Sequence, residues 1–315
     1  MTGRHEPADR PAGRTLRAAA WARPIVAPAA IIATVLSGAM VVSACTGGKS
    51  PAALSRSTRS LVPQRIIPAP RALLAATGPQ ADGTVWAVAG SSSVGLFKLS
   101  SASGLQTASM SVSSAARSVA QNPAGVVAIA LGSQTSGSLE LLRGGGTKKK
   151  TIPLPAPARQ VVAASSGSSF YVLTEWPDSA SISTVSAAGR QLGTIPAPAG
   201  SVSIAADPRQ QLIYVVQHNG VVDVIGLGHG NIESSFTVDG AGVSAAISPD
   251  GSRLYVLKGT SGGSNIAVID TATEGVLKVL PAPSHCLQLA VAPDGRHLYE
   301  TVGTPGYGNI QVVGL

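Results

Sequence analysis

Cationic and protonatable residues recur along this 315-residue chain, in short polar junctions between apolar runs. Arg117 and Arg159 stand 42 residues apart, and Arg71 and His285 occupy comparable junctions. A guanidinium group binds a carboxylate or a phosphate through paired hydrogen bonds, and several cations around one opening would concentrate anions there. These residues therefore predict the binding of an anionic ligand.

Polar residues in neighbouring junctions extend this candidate site. The predicted ligand-binding residues are Arg71, Arg117, Arg159, Glu175, Trp176, His218, Asp239 and His285. The alternative is that the arginines hydrogen-bond loop carbonyls or form surface ion pairs with nearby carboxylates. Both interpretations stay open on the sequence.

Catalytic motifs do not accompany these residues. The sequence has no GxSxG nucleophile elbow leading from a strand into a helix, and no HExxH, CxxC or P-loop motif, and its five histidines are scattered. We therefore predict no catalytic residue, no metal ligand and no cofactor. Glu300 stands where the preceding repeat has Val256. It is either a catalytic acid or base, or a side chain that reaches solvent or an arginine.

The elements that must position these residues are predicted to be β-strands. Short runs of Val, Ile, Leu and Tyr end in Gly, Pro, Asp or Asn, and no long segment has a helical period. The 36 Gly and 22 Pro supply many turns, and the 44% hydrophobic content is enough for a core.

The turns recur at a nearly constant interval. Six comparable turn positions, spaced by 42, 42, 42, 42 and 44 residues, are Gly83, Gly125, Gly167, Arg209, Gly251 and Gly295. Each interval has room for four short strands, such as "SVSIAAD", "QLIYVV", "VVDVIGL" and "SSFTVD". Four strands per repeat of this length are typical of a β-propeller blade. An aromatic residue recurs in the second strand and is expected to fill the wedge between neighbouring blades.

The two ends of the repeat region complement each other. The sixth repeat stops after its third strand, "NIQVVGL", and residues 61–70, "LVPQRIIPAP", resemble the fourth strands "TIPAP" and "VLPAP". We therefore predict an all-β, six-bladed propeller over residues 61–315, with four-stranded antiparallel blades. The N-terminal strand is expected to pair in the last blade and close the ring.

The later repeats also resemble a known family. "SPDGSRLYVLKGTSGGSNIAVIDTATEGVLKVLPAP" (248–283) is similar to the bacterial YVTN-type, surface-layer-like propeller repeat. The similarity is close in the fourth to sixth repeats and extends to the first three only by spacing. Leu257 stands where the family has threonine, and Tyr299-Glu300-Thr301 departs further. The resemblance implies the same propeller fold.

The N-terminus has the pattern of a secretion signal. Five arginines precede an uncharged apolar stretch that ends in Val42-Ser43-Ala44-Cys45. This ending resembles the bacterial lipobox, which implies a lipoprotein signal peptide over residues 1–44 and acyl chains such as palmitate on Cys45. The alternative is a signal-anchor helix with an incidental cysteine. Residues 45–60 are small and polar, and we expect a flexible tether there.

Charge and cysteine content restrict the partners. Without residues 1–44 the chain keeps 18 of its 23 basic and 13 of its 15 acidic residues, a net charge of +5. Aromatic residues make up only 3%, and Lys148–Lys150 is the one basic run beyond the signal, so nucleic-acid binding is not expected. Cys286 lies in an apolar strand pattern and is expected to be a buried free thiol.

These observations together predict an extracytoplasmic lipoprotein that is monomeric and anchored in the cell membrane through Cys45. We expect a non-catalytic module of the cell envelope that binds an envelope protein or a small anionic ligand through one face of the ring. A lactonase-type hydrolase using the same mouth and a structural envelope spacer are the alternatives.

Overall fold

The computed structural model describes residues 62–315 except 92, 147, 210, 262 and 305. These residues form six four-stranded antiparallel sheets and one short 3₁₀ turn, Gly144–Gly146. The predicted all-β, six-bladed propeller is confirmed. The signal peptide over 1–44, Cys45 and the tether over 45–60 lie outside the described residues.

The strands follow one another blade by blade along the chain. The first strand is β1 (Arg65–Pro68). Blade 1 contains β2 (Leu73–Ala76), β3 (Thr84–Gly90), β4 (Val94–Ser100) and β5 (Gln106–Ser111). Blade 2 contains β6 (Ala116–Gln121), β7 (Val127–Gly132), β8 (Gly137–Arg143) and β9 (Lys148–Leu154). Blade 3 contains β10 (Ala158–Ala163), β11 (Ser169–Trp176), β12 (Ser179–Ser186) and β13 (Gln191–Ala197).

The second half of the ring repeats this order. Blade 4 contains β14 (Ser201–Ala206), β15 (Leu212–Gln217), β16 (Val221–Gly226) and β17 (Ile232–Thr237). Blade 5 contains β18 (Ala241–Ile247), β19 (Arg253–Thr260), β20 (Gly263–Asp270) and β21 (Val276–Ala282). Blade 6 contains β22 (Cys286–Val291), β23 (His297–Thr304) and β24 (Tyr307–Gly314), with β1 as its fourth strand.

The ring closes through the N-terminal strand, as predicted. β1 pairs with β24 in antiparallel register, with Ile67 opposite Ile310 and Arg65 opposite Val312. The first strands of successive blades contact one another, and β22 of blade 6 contacts β2 of blade 1. Closure leaves no blade at the end of an open array, where a sheet face would be exposed.

The Pro-Asp-Gly turns adopt the geometry that their residue types favour. Gly251 and Gly295 have φ of 67° and 66°, a region that glycine enters without a steric penalty. The Asp250 carboxylate accepts a hydrogen bond from the Ser252 backbone N–H at 3.1 Å, which holds the turn from within. Each turn therefore joins the first strand of a blade to the second.

The recurring aromatic residue packs between blades, as predicted. The residues at this position, each in a core cluster shared with the following blade, are Trp86, Tyr171, Tyr214, Tyr255 and Tyr299. The corresponding residue of blade 2 is Ala128, and Phe170 of blade 3 occupies that interface instead. The aromatic residues are therefore part of the core.

A belt of hydrogen bonds joins the first strands around the ring. In five blades a Ser or Gln side chain of the first strand accepts a hydrogen bond from a backbone N–H of the next blade's first strand. These pairs are Ser118 with Val161 (3.3 Å), Gln160 with Ile204 (2.6 Å), Ser203 with Ala245 (2.9 Å), Ser244 with Leu289 (3.1 Å) and Gln288 with Ala76 (3.2 Å). Blade 1 has Ala75 at this position, which has no side-chain acceptor. The belt satisfies a backbone donor on the inner edge of five of the six sheets, where no further strand can pair.

The belt makes a testable contribution to stability. Gln160→Ala removes the acceptor of the Ile204 N–H, and a buried donor left unpaired costs about 1–3 kcal/mol. We expect the free energy of unfolding in urea to fall by that amount. Gln191→Ala is the matched control, because Gln191 is exposed and its side-chain amide donates to the Thr194 hydroxyl. Equal losses in the two variants would contradict a stabilising role for the belt.

Glu300 is an ionisable residue in the largely apolar core between blades 5 and 6. The expectation that its side chain reaches solvent or an arginine is wrong, because the residue is only 1% exposed and has no salt bridge among the described residues. Its Oε1 also has no hydrogen-bond partner in the described part of the chain. Burial raises the pKa of the Glu300 carboxyl to about 7.

Cys286 lies in the same region and is a buried free thiol, as predicted. Desolvation raises the pKa of this thiol, and the nearby Glu300 carboxylate raises it further. A thiol with a raised pKa forms little thiolate, which is the reactive species. Cys286 is therefore a core residue of blade 6.

Candidate functional site

Each blade's first strand contains a β-bulge at the same place. The pairing of first and second strands skips one residue there, as between Ala116 and Ser118 and between Ala158 and Gln160. The skipped residues, which we call the mouth ring, are Leu74, Arg117, Arg159, Val202, Val243 and Leu287. A bulge leaves one residue out of the ladder and redirects its side chain.

The mouth ring lines one cavity of about 1030 Å³ at the ring's centre. Loop residues complete the wall, including Ser91 and Ser133 between second and third strands and Ser114 and Pro157 between fourth and first strands. Both kinds of loop therefore lie at the same opening of the ring. The cavity's volume is at the upper end of the range for small-molecule sites.

The mouth ring has one cationic and one apolar side. Arg117 and Arg159 belong to adjacent blades, 2 and 3. The four remaining blades follow in unbroken order around the ring and contribute the apolar members, Val202, Val243, Leu287 and Leu74. Charge and aliphatic surface are therefore separated across a single opening.

Arg117 is anchored through its Nε. Its Nε donates to the Gly132 carbonyl at 3.2 Å, which fixes the side chain against the end of β7. Its two Nη groups have no hydrogen-bond acceptor among the described residues. Because both Nη groups carry N–H donors, Arg117 can bind an anion without losing its anchor.

Arg159 is held more tightly. Its Nε donates to the Val202 carbonyl at 3.1 Å, and its Nη1 pairs with Glu175 Oε2 at 2.7 Å. The charged residues in the described lining are Arg117, Arg159 and Glu175. The cavity wall therefore carries a net charge of +1.

The other predicted site residues are not among the described residues that line this cavity. Arg71 donates to the Ser93 carbonyl and hydroxyl at 3.0 and 2.8 Å, so it bonds its own blade's loop. Trp176 ends β11 and is exposed. The remaining three, all exposed on other loops, are His218, Asp239 and His285. The structure thus brings together Arg117, Arg159 and Glu175 from the predicted set.

The bulge explains this division. Arg71 precedes the mouth-ring position of its blade by three residues, and His285 precedes Leu287 by two. Residues at those offsets are not redirected by the bulge. The aliphatic members of the ring were not predicted from the sequence. Aligning the repeats on Arg117 and Arg159 would have found them, because they recur at nearly the same spacing.

Metal clusters and spanning helices are both lacking in the part of the chain that the structure describes. There, no three His, Cys, Asp or Glu residues are grouped so that they could hold a metal ion. Nor does any helix within residues 62–315, gaps aside, have the length and apolar character needed to cross a membrane.

Comparisons with known proteins identify the fold. No family model matches the chain, and no curated protein matches it in sequence. Among solved structures it is similar to Kuenenia stuttgartiensis hydrazine synthase, with a TM-score of 0.59 and 16% sequence identity. The match covers 78% of this chain and 76% of that one. At this identity the similarity supports the β-propeller architecture alone.

Proposed function

We propose that this protein is a non-catalytic binding module, tethered to the outer face of the cell membrane, that takes an anionic ligand in the cavity at its mouth ring. The observation that carries the proposal is Arg117, whose two Nη groups have no hydrogen-bond acceptor among the described residues and lie in the wall of a cavity with a net charge of +1. A cationic group in a concave wall concentrates anions and binds carboxylate or phosphate oxygens directly.

The lining chemistry favours binding over hydrolysis. Arginine stays protonated in proteins, so Arg117 and Arg159 offer hydrogen-bond donors and charge but no proton transfer. The carboxylate of Glu175 already accepts a charge-assisted hydrogen bond from Arg159. The groups at the mouth are therefore suited to holding an anion in place.

Anion binding can be measured with trifluoroacetate as the probe, by fluorine NMR. We expect the Arg117→Ala/Arg159→Ala variant to bind at least about tenfold more weakly, since each charge-assisted hydrogen bond contributes roughly 1.5–3 kcal/mol. The control is Arg190→Ala/Arg296→Ala, which removes the same charge from exposed turns outside the cavity lining. Absence of binding to the parent protein, or equal binding to the double variant, would refute the proposal.

The sequence that leads to Cys45 supports the membrane tether. It consists of a basic N-terminal segment, an apolar stretch and a lipobox-like ending. Growth with an alkyne analogue of palmitate, followed by chemical tagging, should label the protein. Cys45→Ser should abolish the label, whereas Cys286→Ser should keep it. Labelling of the Cys45→Ser variant would exclude this tether.

A further inference from the structure

The apolar side of the mouth ring exposes aliphatic surface inside a concave wall. Leu287, Leu74 and Val243 are 39%, 38% and 36% exposed. All three reach the cavity because a bulge redirects them. Val202 of blade 4 lines the cavity in the same way. Covering such a surface with an apolar ligand removes it from water, which is favourable in proportion to its area.

The cationic side lies across the opening from this surface. In a ring of six blades, blade 2 is opposite blade 5 and blade 3 is opposite blade 6. Arg117 is therefore opposite Val243, and Arg159 is opposite Leu287. A molecule with its anionic group at the arginines extends its other end across the ring axis onto aliphatic side chains.

The charge of the wall limits the charge of the ligand. Glu175 occupies Nη1 of Arg159, so the lining has one cation in excess. A monoanion balances that excess, whereas a dianion would bring a second negative charge close to Glu175. Charge balance in the wall therefore favours a ligand with a single negative charge.

From these three features we infer that the ligand of this site is an aliphatic monocarboxylate, with its carboxylate on Arg117 and its hydrocarbon chain against Val243, Leu287 and Leu74. This inference rests on the proposed function, that the mouth binds an anion. It adds the ligand's amphiphilic character and its charge.

The first test is a chain-length series of acetate, butyrate, hexanoate and octanoate, titrated into the purified protein in detergent-free buffer. Affinity should rise about fourfold for each methylene that the apolar side covers. If acetate and octanoate bind equally through the arginines, the aliphatic inference fails and anion binding stands. If none of the four binds, both fail.

The second test separates the apolar side of the mouth ring from general surface hydrophobicity. Val243→Ser/Leu287→Ser should weaken octanoate binding at least about tenfold, and by a larger factor than it weakens acetate binding. The matched control is Leu277→Ser/Val279→Ser on β21, because these residues are 43% and 42% exposed but do not line the cavity. Equal loss of octanoate binding in both variants would overturn the inference.

The third test concerns charge. Octyl phosphate, which is largely a dianion near pH 8, should bind the parent protein more weakly than octanoate does. Glu175→Gln should tighten octyl phosphate binding at least about tenfold by removing the adjacent negative charge. Tighter binding of octyl phosphate than of octanoate to the parent protein would contradict a site for monoanions.

The last test distinguishes a free aliphatic carboxylate from the C-terminus of a protein partner. A peptide C-terminus also offers a carboxylate beside aliphatic side chains. N-acetyl-leucyl-leucine should therefore bind no better than hexanoate. If it binds more tightly than hexanoate, the free aliphatic carboxylate is the wrong ligand class.

Discussion

Ile67→Ala is expected to lower the free energy of unfolding by about 2–5 kcal/mol, the usual cost of emptying a large aliphatic position in a core. Ile67 is fully buried in the cluster between blades 6 and 1, with Leu73, Tyr299 and Ile310. It is also the buried residue of the four-residue strand that closes the ring. The substitution therefore destabilises blade 6, which is built from both ends of the described chain.

Ile66→Ala is the matched control. Ile66 is the adjacent residue of the same strand, and its side chain is 54% exposed. Both variants make the same chemical change in β1, so the difference in their urea midpoints isolates the buried contact. We expect the control to lose less than about 1 kcal/mol. A similar loss in both variants would mean that β1 does not pack in the core.

Glu300→Gln is expected to change the pH dependence of stability. The pKa of Glu300 is about 7 in the folded protein, against 4.5 for an unperturbed glutamate. The folded state therefore holds its proton more tightly, and stability falls as pH rises from about 4.5 through about 7. This shift corresponds to about 3 kcal/mol. Glutamine stays neutral, so the variant should match the parent near pH 4.5 and exceed its stability by up to that amount near pH 8.

The experiment is chemical unfolding at about pH 5 and about pH 8. Glu233→Gln, an exposed carboxyl on β17, controls for the loss of a negative charge from the protein. An advantage of Glu300→Gln that is the same at both pH values would show that the carboxyl does not titrate in the core.

The site was only partly predictable from the sequence. Arg117 and Arg159 stood out because arginine is conspicuous among apolar strands and because their spacing equals the repeat. Val243 and Leu287 did not stand out, because an aliphatic residue in a strand pattern predicts a position in the core. Arg71 was included because it lies near the same junction. Which residue of a junction faces the cavity depends on the bulge, and a one-residue offset in strand pairing has no signature in residue type alone.

Glu300 shows the same limit in the core. Its sequence position in β23 predicted a conflict between charge and burial, but the expected escape to solvent or an arginine was wrong. Whether a partner lies within reach depends on side chains from other strands and from the adjacent blade. Their positions follow from the packing of whole sheets and not from local sequence.

The sequence by itself determined the blade count, the strand order and the closure by residues 61–70, because these depend on a repeat length, on turn residues and on a missing strand. The turn residues and the repeat length are local signals that recur in all six repeats, so each copy supports the others. Only the tertiary structure decided which six residues form the mouth ring and that its cationic and apolar sides oppose each other. That arrangement arises when strands distant in sequence are brought around one axis, where a shared bulge turns one residue of each blade inward.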